Sequence, residues 1–326
     1  MDAAQSEQPA IPKKGALRRA VPWLVGLAIL VVIAKHVPVA EFRQAISHGP
    51  HVQLGLVALV STGLILCTDS ISTWIGLLAL RIRRPLSHVF AVRGGSYVLF
   101  LVNYALGQGA FGYWLNRTGI SGLRAVGVTL FLIGTNFATM LLVTTVTWML
   151  AADTPAHAAL WWTLVGGSGA FLVYLVIIAI APRFVAKIQV LAPLFDGGVR
   201  GHVIAVVGRI PHIAMLVISY WAALRVWGIP VPLVAGLTLM PAVVIASVLP
   251  ISPAGLGTTQ AALVYFFSDY AVGATGDDRQ AHVLAFAIVY LVYSIVSALV
   301  IGLACTPFAK RLGLLPSRKP PVTSGA

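Results

Sequence analysis

Long apolar runs recur along this chain, at roughly 21–34, 52–80, 125–150, 158–181, 209–228 and 282–304. A helical run of about 20 apolar residues matches the ~30 Å hydrocarbon core of a bilayer. In hydrocarbon each unpaired N–H or C=O costs several kcal/mol, and a helix pairs those groups within the segment itself. Composition agrees, with 59% apolar and 10% charged residues and a mean hydropathy of +0.92, far from the mix of a soluble globule. The predicted fold is an all-α polytopic membrane protein of about six full spans. Two re-entrant or short-helix hairpins complete it, and the halves form an inverted repeat.

The first run follows Lys13, Lys14, Arg18 and Arg19, and Lys35 and His36 interrupt the place where a cleavage site would stand. It reads as an uncleaved anchor rather than a signal peptide. Cys67 and Cys305 fall in apolar segments, so neither a disulfide framework, a metal site nor another cofactor is expected.

The net charge of +13 is unevenly placed. The segments 13–19, 81–93, 117–124, 183–209 and 310–319 hold 18 of the 22 Lys and Arg residues, and the segments between them are poor in basic residues. Such alternation is the positive-inside pattern of cytoplasmic loops, so the charge sets orientation and adds attraction to anionic headgroups. Nucleic acid is not an expected partner. Arg81, Arg83 and Arg84 should share a side with Arg117 and Arg124, so "GGSYVLFLVNYALGQGAFGYW" at 94–114 must enter and leave on one side. By the same reasoning 233–272 makes either two short spans or a second hairpin dipping from outside. Both termini are then cytoplasmic. The expected organisation is a basic arm at 1–20, one integral domain at 21–304 with halves 21–150 and 158–304, and a basic tail at 305–326.

The halves echo one another. Pro85 precedes Gly107-Gln108-Gly109 by 22 residues, Pro232 precedes Gly255-Leu256-Gly257 by 23, and "ALR" stands at 79–81 and 223–225. Inverted repeats whose broken helices meet near the midplane are a transporter architecture. The second break, "LPISPAGLGTTQ" at 249–260, is tolerable at membrane depth only if it is buried in protein or lines a watery cavity. A tight turn at the surface is the plainer alternative. As a binding element it offers Pro250, Ser252, Pro253, Gly255, Gly257, Thr258 and Gln260, with Thr258, Thr259 and Gln260 in the first turn of a new helix. Helix starts attract phosphate or carboxylate. The first break contributes Asn103, Gly107, Gln108 and Gly109.

Asp69, in "LCTDSIST", is deep within its span. A carboxylate there is costly unless protonated or partnered, which makes it a functional candidate, with Ser70, Ser72 and Thr73 on the same polar strip. A structural, protonated Asp is the alternative. Arg209 and Arg225 read as snorkelling anchors at helix ends.

"LPISPAGLGTTQAAL" resembles the Pro-x-Ser-Pro-Gly-Gly-x-Gly-x-x-Glu stretch in the transmembrane region of lysylphosphatidylglycerol synthases and their stand-alone flippase-like relatives. "WIGLLALRIRRPLSHVFAVRGGSYVLFLVNYALGQG" is similar to that family's earlier segment. The resemblance covers most of 55–300 and implies binding or translocation of a lipid or lipid-linked molecule in a bacterial inner membrane. This chain departs from the pattern where Gln260 replaces an acidic residue and Gly107, Gln108 and Gly109 replace Pro, Glu and Arg. Thr73 stands where an Arg precedes Trp74, and "LIGTNFATM" replaces a span bearing Arg and Asp. The expectation is a charged core turned neutral. Only about 20 residues follow the last span, so lysyl transfer is not expected.

Two further function classes stay open: a small-solute or proton-coupled transporter using Asp69, and a non-transporting partner of a lipid-modifying membrane enzyme. Partners would then be membrane lipids, with anionic headgroups favoured by charge, and a membrane enzyme or a second copy of the chain. "GGSG" at 166–169 with His282 matches an intramembrane serine protease. However, small residues at this spacing serve helix packing, and no enzyme activity is expected.

Overall fold

The computed structural model describes residues 16–35, 37–102, 104–150, 158–180, 187–248 and 255–314. In chain order these form α1 (Ala16–Lys35), α2 (Val39–Ser47), α3 (His51–Ala79), α4 (Leu86–Val102), α5 (Tyr104–Arg117) and α6 (Gly122–Leu150). Then follow α7 (Ala158–Ile180), α8 (Ala192–Val226), α9 (Leu233–Val248), α10 (Thr258–Phe267), a 3-10 turn at Ser268–Tyr270, and α11 (Gly276–Arg311). No strand occurs among the described residues. The protein is an all-α polytopic membrane protein. Among the described residues, five helices are long and apolar enough to cross a membrane: α3, α6, α7 (from Leu160), α8 and α11. The run expected at 21–34 lies in α1, of which Trp23–Ile33 forms a shorter apolar helix. The expected tail at 305–326 begins inside α11, which continues to Arg311.

α4 and α5 form a hairpin. Phe100 packs on Tyr104 beside the turn, with ring centroids 5.6 Å apart, and Arg93 lies over Phe111 further down. At the open end, the Arg84 guanidinium donates to the Thr118 carbonyl at 2.8 Å. The segment therefore enters and leaves at one level, as the arginine clusters demanded. Gly107-Gln108-Gly109, however, is not the break. α5 runs through it without interruption, and α4 gives way to α5 between Val102 and Tyr104. Gly107 is small because Phe100 packs there, where an added Cβ would sit 2.3 Å from the ring.

α9 and α10 form the second hairpin, with the Thr258 hydroxyl donating to the Ala246 carbonyl at 2.9 Å. α10 has 10 residues, about 15 Å at 1.5 Å per residue, about half a hydrocarbon core. α9 and α10 are thus the arms of a hairpin rather than two spans. The His282 ring, near the start of α11, approaches the Trp227 carbonyl at the end of α8, so this hairpin also returns to its own end.

The repeat is visible bond by bond, in residues 147 positions apart. The indole of Trp74 donates to the Arg84 carbonyl as that of Trp221 donates to Val231. Ile82 N–H bonds Leu77 as Ile229 N–H bonds Leu224, and the positive φ of Arg81, 59°, recurs at Gly228, 88°. Gly198, with φ 54°, interrupts α8 one position past the equivalents of residues 48–50, which separate α2 from α3, so α8 corresponds to α2 and α3 together. The "ALR" pair is out of this register by three residues, because one recurs before the turn and the other nearly a helical turn earlier.

Packing obeys the same exchange. Swapping α3 with α8, α4 with α9, α5 with α10 and α6 with α11 maps α4 against α11 onto α9 against α6. It likewise maps α3 against α11 onto α8 against α6. α3 and α8 run antiparallel at the centre, with Gly201 against Ala79 and Gly208 against Ile75. Arg81, Arg83, Arg84, Arg117, Arg124, Lys187, Arg200, Lys310 and Arg311 gather at one end, where Asp196 pairs with Arg124 at 2.6 Å. Glu41, Asp269, Asp277 and Asp278 lie at the other, with Lys35, Arg43, Arg225 and Arg279.

The same substitution should have opposite effects at two glycines. Gly228→Ala places a Cβ at φ 88° and should cost about 1–2 kcal/mol in thermal unfolding of the detergent-solubilised protein. Gly109→Ala, at an exposed helical position with open space around it, should stabilise by up to about 1 kcal/mol. Destabilisation at Gly109 would restore the broken-helix reading of 107–109.

Candidate translocation site

The core of the bundle is charged, not neutral. Asp69 on α3 is 2% exposed. The Arg93 Nε of α4 donates to its Oδ2 at 2.6 Å, and the Arg209 Nη1 of α8 donates to Oδ1 at 3.2 Å. His212 Nε2 stands 3.8 Å from Oδ1. Neutral groups complete the shell: Arg93 Nη1 donates to Gln108 Oε1 at 3.3 Å, and Arg209 donates to Asn136 Oδ1 at 3.3 Å and Thr73 Oγ1 at 3.4 Å. Ion pairs this deep hold only when both charges and their remaining hydrogen-bonding groups are satisfied. "LIGTNFATM" joins the cluster through Asn136, and Ser70, Ser72 and Thr73 are all buried.

Arg209 is therefore no snorkelling anchor. It is 4% exposed and sits inside α8, whose start at Ala192 lies well before the boundary the sequence suggested. Arg93 was hidden among its basic neighbours. Counting helical residues from the basic end finds both: Asp69 is 10 residues before the end of α3, Arg93 is 7 beyond the start of α4, and Arg209 is 11 beyond the kink at Gly198. At 1.5 Å per residue all three lie about 10–17 Å from that end.

Beside the cluster is a cavity of about 470 Å3 lined from α3, α8, α11 and both hairpins. Tyr97, Phe100 and Tyr104 come from the first hairpin, Thr259 and Gln260 from the second, and Tyr290 from α11. Most of the remaining wall is apolar. The two hairpins thus face one space. Of the expected binding residues, Gln108 reaches this wall indirectly, its Nε2 donating to the Tyr104 hydroxyl at 2.8 Å. Gly107 serves packing, and Gly109 points away from the site, exposed. Asn103, Pro250, Ser252 and Pro253 lie outside the described residues.

The described end of the second break, from Gly255 onward, is bonded within the protein. Gly255 and Gly257 have φ of 70° and 84°, as a turn into α10 requires of residues without a Cβ. The Gly257 N–H donates to Gln260 Oε1 at 2.6 Å, which caps the helix start in place of a ligand. Thr258 Oγ1 bonds the Ala246 and Gly255 carbonyls, and Gly257 packs on Gly26 of α1, where a Cβ would come 2.5 Å from the carbonyl oxygen. Thr259, in the same first turn, has its Oγ1 buried beside the cavity with no hydrogen-bond partner among the described residues. The protease pairing has no geometric support, since Ser168 lies on α7, which packs on α6 and α8, while His282 approaches Trp227.

No model of a known protein family matches this chain, and no curated protein matches its sequence.

Asp69→Asn would leave two buried guanidiniums without a carboxylate and should destabilise the protein by roughly 3–5 kcal/mol. Arg209→Gln leaves the Asp69–Arg93 pair intact and should cost about 1–3 kcal/mol. Thermal unfolding in detergent orders the two. An Asp69→Asn protein that melts with the wild type would show that the cluster holds nothing together.

Proposed function

We propose that this chain is a flippase-like membrane protein that binds or translocates a lipid or lipid-linked molecule. The observation that carries this reading is the largely apolar cavity walled by both hairpins of an inverted repeat. A chamber of that lining suits acyl or prenyl chains better than a hydrated solute, because an apolar wall returns nothing for the solute's lost hydration. Its position between two symmetric half-hairpins is the arrangement in which rocking of the halves exposes one site alternately. The resemblance to the lysylphosphatidylglycerol synthase transmembrane region points the same way and supports a bacterial inner membrane as its location.

A proton-coupled solute transporter needs a carboxylate free to exchange protons. Asp69 is instead shared between Arg93 and Arg209, which favours the lipid reading. The concentration of Arg and Lys at one end supports a cytoplasmic assignment for that end and for the C-terminus of α11. The activity proposed involves no bond-making or bond-breaking.

Transfer of a fluorescent short-chain phospholipid between leaflets of proteoliposomes tests the reading. Ser294→Trp, in the cavity wall, should slow transfer at least tenfold. Leu303→Trp, on the same helix but 62% exposed on the outer surface, should leave it unchanged. Equal rates for wild type and Ser294→Trp would separate the cavity from transport.

A further inference from the structure

The buried cluster does not balance. Arg93 and Arg209 supply two positive charges, since a guanidinium stays protonated in proteins, and Asp69 supplies one negative charge. The other described carboxylates, Glu41, Asp196, Asp269, Asp277 and Asp278, lie near helix ends or in surface segments. One surplus positive charge thus remains inside the membrane-embedded core, softened by the amide oxygens of Gln108 and Asn136.

That surplus is led toward the cavity in one direction. Arg93 donates to Gln108 Oε1, and Gln108 Nε2 donates to the Tyr104 hydroxyl oxygen. A phenol that accepts one hydrogen bond can donate its own proton onward, and Tyr104 lines the cavity. A chain of donors that begins at a cation polarises each member, so its last hydroxyl is a strengthened donor. The Arg93 guanidinium also lies over the ring of Phe100, 5.4 Å from its centroid, and Phe100 belongs to the same wall. The same wall includes the apolar Leu101, Leu216 and Ile295, a surface for hydrocarbon.

We infer that the cavity holds the phosphate of a net-anionic phospholipid at Tyr104, at the end of the relay from Arg93 through Gln108, with the lipid's chains along the apolar wall. This deepens the lipid reading and rests on it. The anion supplies the missing charge, and the tyrosine makes the contact, so the arginines stay locked to Asp69 while the lipid enters and leaves. A neutral donor backed by a distant cation also releases an anion more readily than a direct ion pair would. Transport requires such release.

The test uses the full-length protein in an uncharged detergent and four probes: dioctanoyl phosphatidylglycerol, dioctanoyl phosphatidylcholine, dioctanoylglycerol and inorganic phosphate. Binding is read by native mass spectrometry and by the change in tryptophan fluorescence. The wild type should bind phosphatidylglycerol at least tenfold more tightly than dioctanoylglycerol, with phosphatidylcholine between them. Tyr104→Phe removes one hydroxyl and keeps the wall's shape. It should weaken phosphatidylglycerol about tenfold and leave dioctanoylglycerol unchanged. Equal binding of phosphatidylglycerol and dioctanoylglycerol by the wild type would overturn the headgroup site while leaving the lipid reading intact. So would a Tyr104→Phe protein that keeps the full preference. Inorganic phosphate binding as tightly as phosphatidylglycerol would assign the site to a free anion and overturn the lipid as its source. Failure of all three lipids to bind would overturn both this site and the lipid reading.

Discussion

A single carboxylate, Asp69, holds two arginines at the centre of the bundle. The arrangement follows from the solvent. A charge in hydrocarbon must find a partner, and a guanidinium with five donors needs more than one acceptor. Asp69 comes from α3, Arg93 from the first hairpin, and Arg209 from the antiparallel helix of the other half. The bridge therefore joins the two repeats to each other and fixes how deep the first hairpin sits. The cavity forms where that hairpin faces its counterpart, so its tyrosine wall is placed by the same contacts.

The two hairpins meet the demands of broken backbone by different means. The first is held by side-chain charge, through Arg93, Gln108 and the close fit of Phe100 on Gly107. In the second, α9 and α10 carry no charged residue, and Gln260 caps Gly257 while Thr258 bonds across to Ala246. The wall between the hairpins presents side chains, Tyr104 and Thr259 among them. An internal repeat that has diverged in this way can bind one asymmetric molecule, polar at the charged hairpin and apolar elsewhere.

Much of this architecture is legible in the sequence because hydropathy and charge report directly on the bilayer. The apolar runs locate the long helices, and the arginines at 81–84 and 117–124 by themselves require a hairpin between them. Pro85 and Pro232 mark equivalent helix starts. What fails to read out depends on depth. Pooling Arg93 with Arg81, Arg83 and Arg84 conceals a residue two helical turns further in. "GRIPH" at 208–212 imitates a helix beginning, because a proline there is also what a first turn prefers. The helix in fact starts at Ala192 and carries Pro211 inside it. Glycine is ambiguous for a related reason. At 107 it admits a neighbouring ring within a continuous helix, whereas at 255 and 257 it permits a positive φ, and the letters alone do not separate the two uses.

Two opposed hairpins each return to the end from which they enter. Accessibility of single cysteines to an impermeant thiol reagent, applied from either side of sealed membranes, measures this directly. In a protein lacking Cys67 and Cys305, cysteines at the exposed positions Ser87 and Ser121 flank the first hairpin, and those at Ser47 and Ala274 mark the opposite end. The account predicts that Ser87 and Ser121 label from the same side, and Ser47 and Ala274 from the other. Labelling of Ser87 and Ser121 from opposite sides would make α4 and α5 a crossing of the membrane and contradict the inverted repeat.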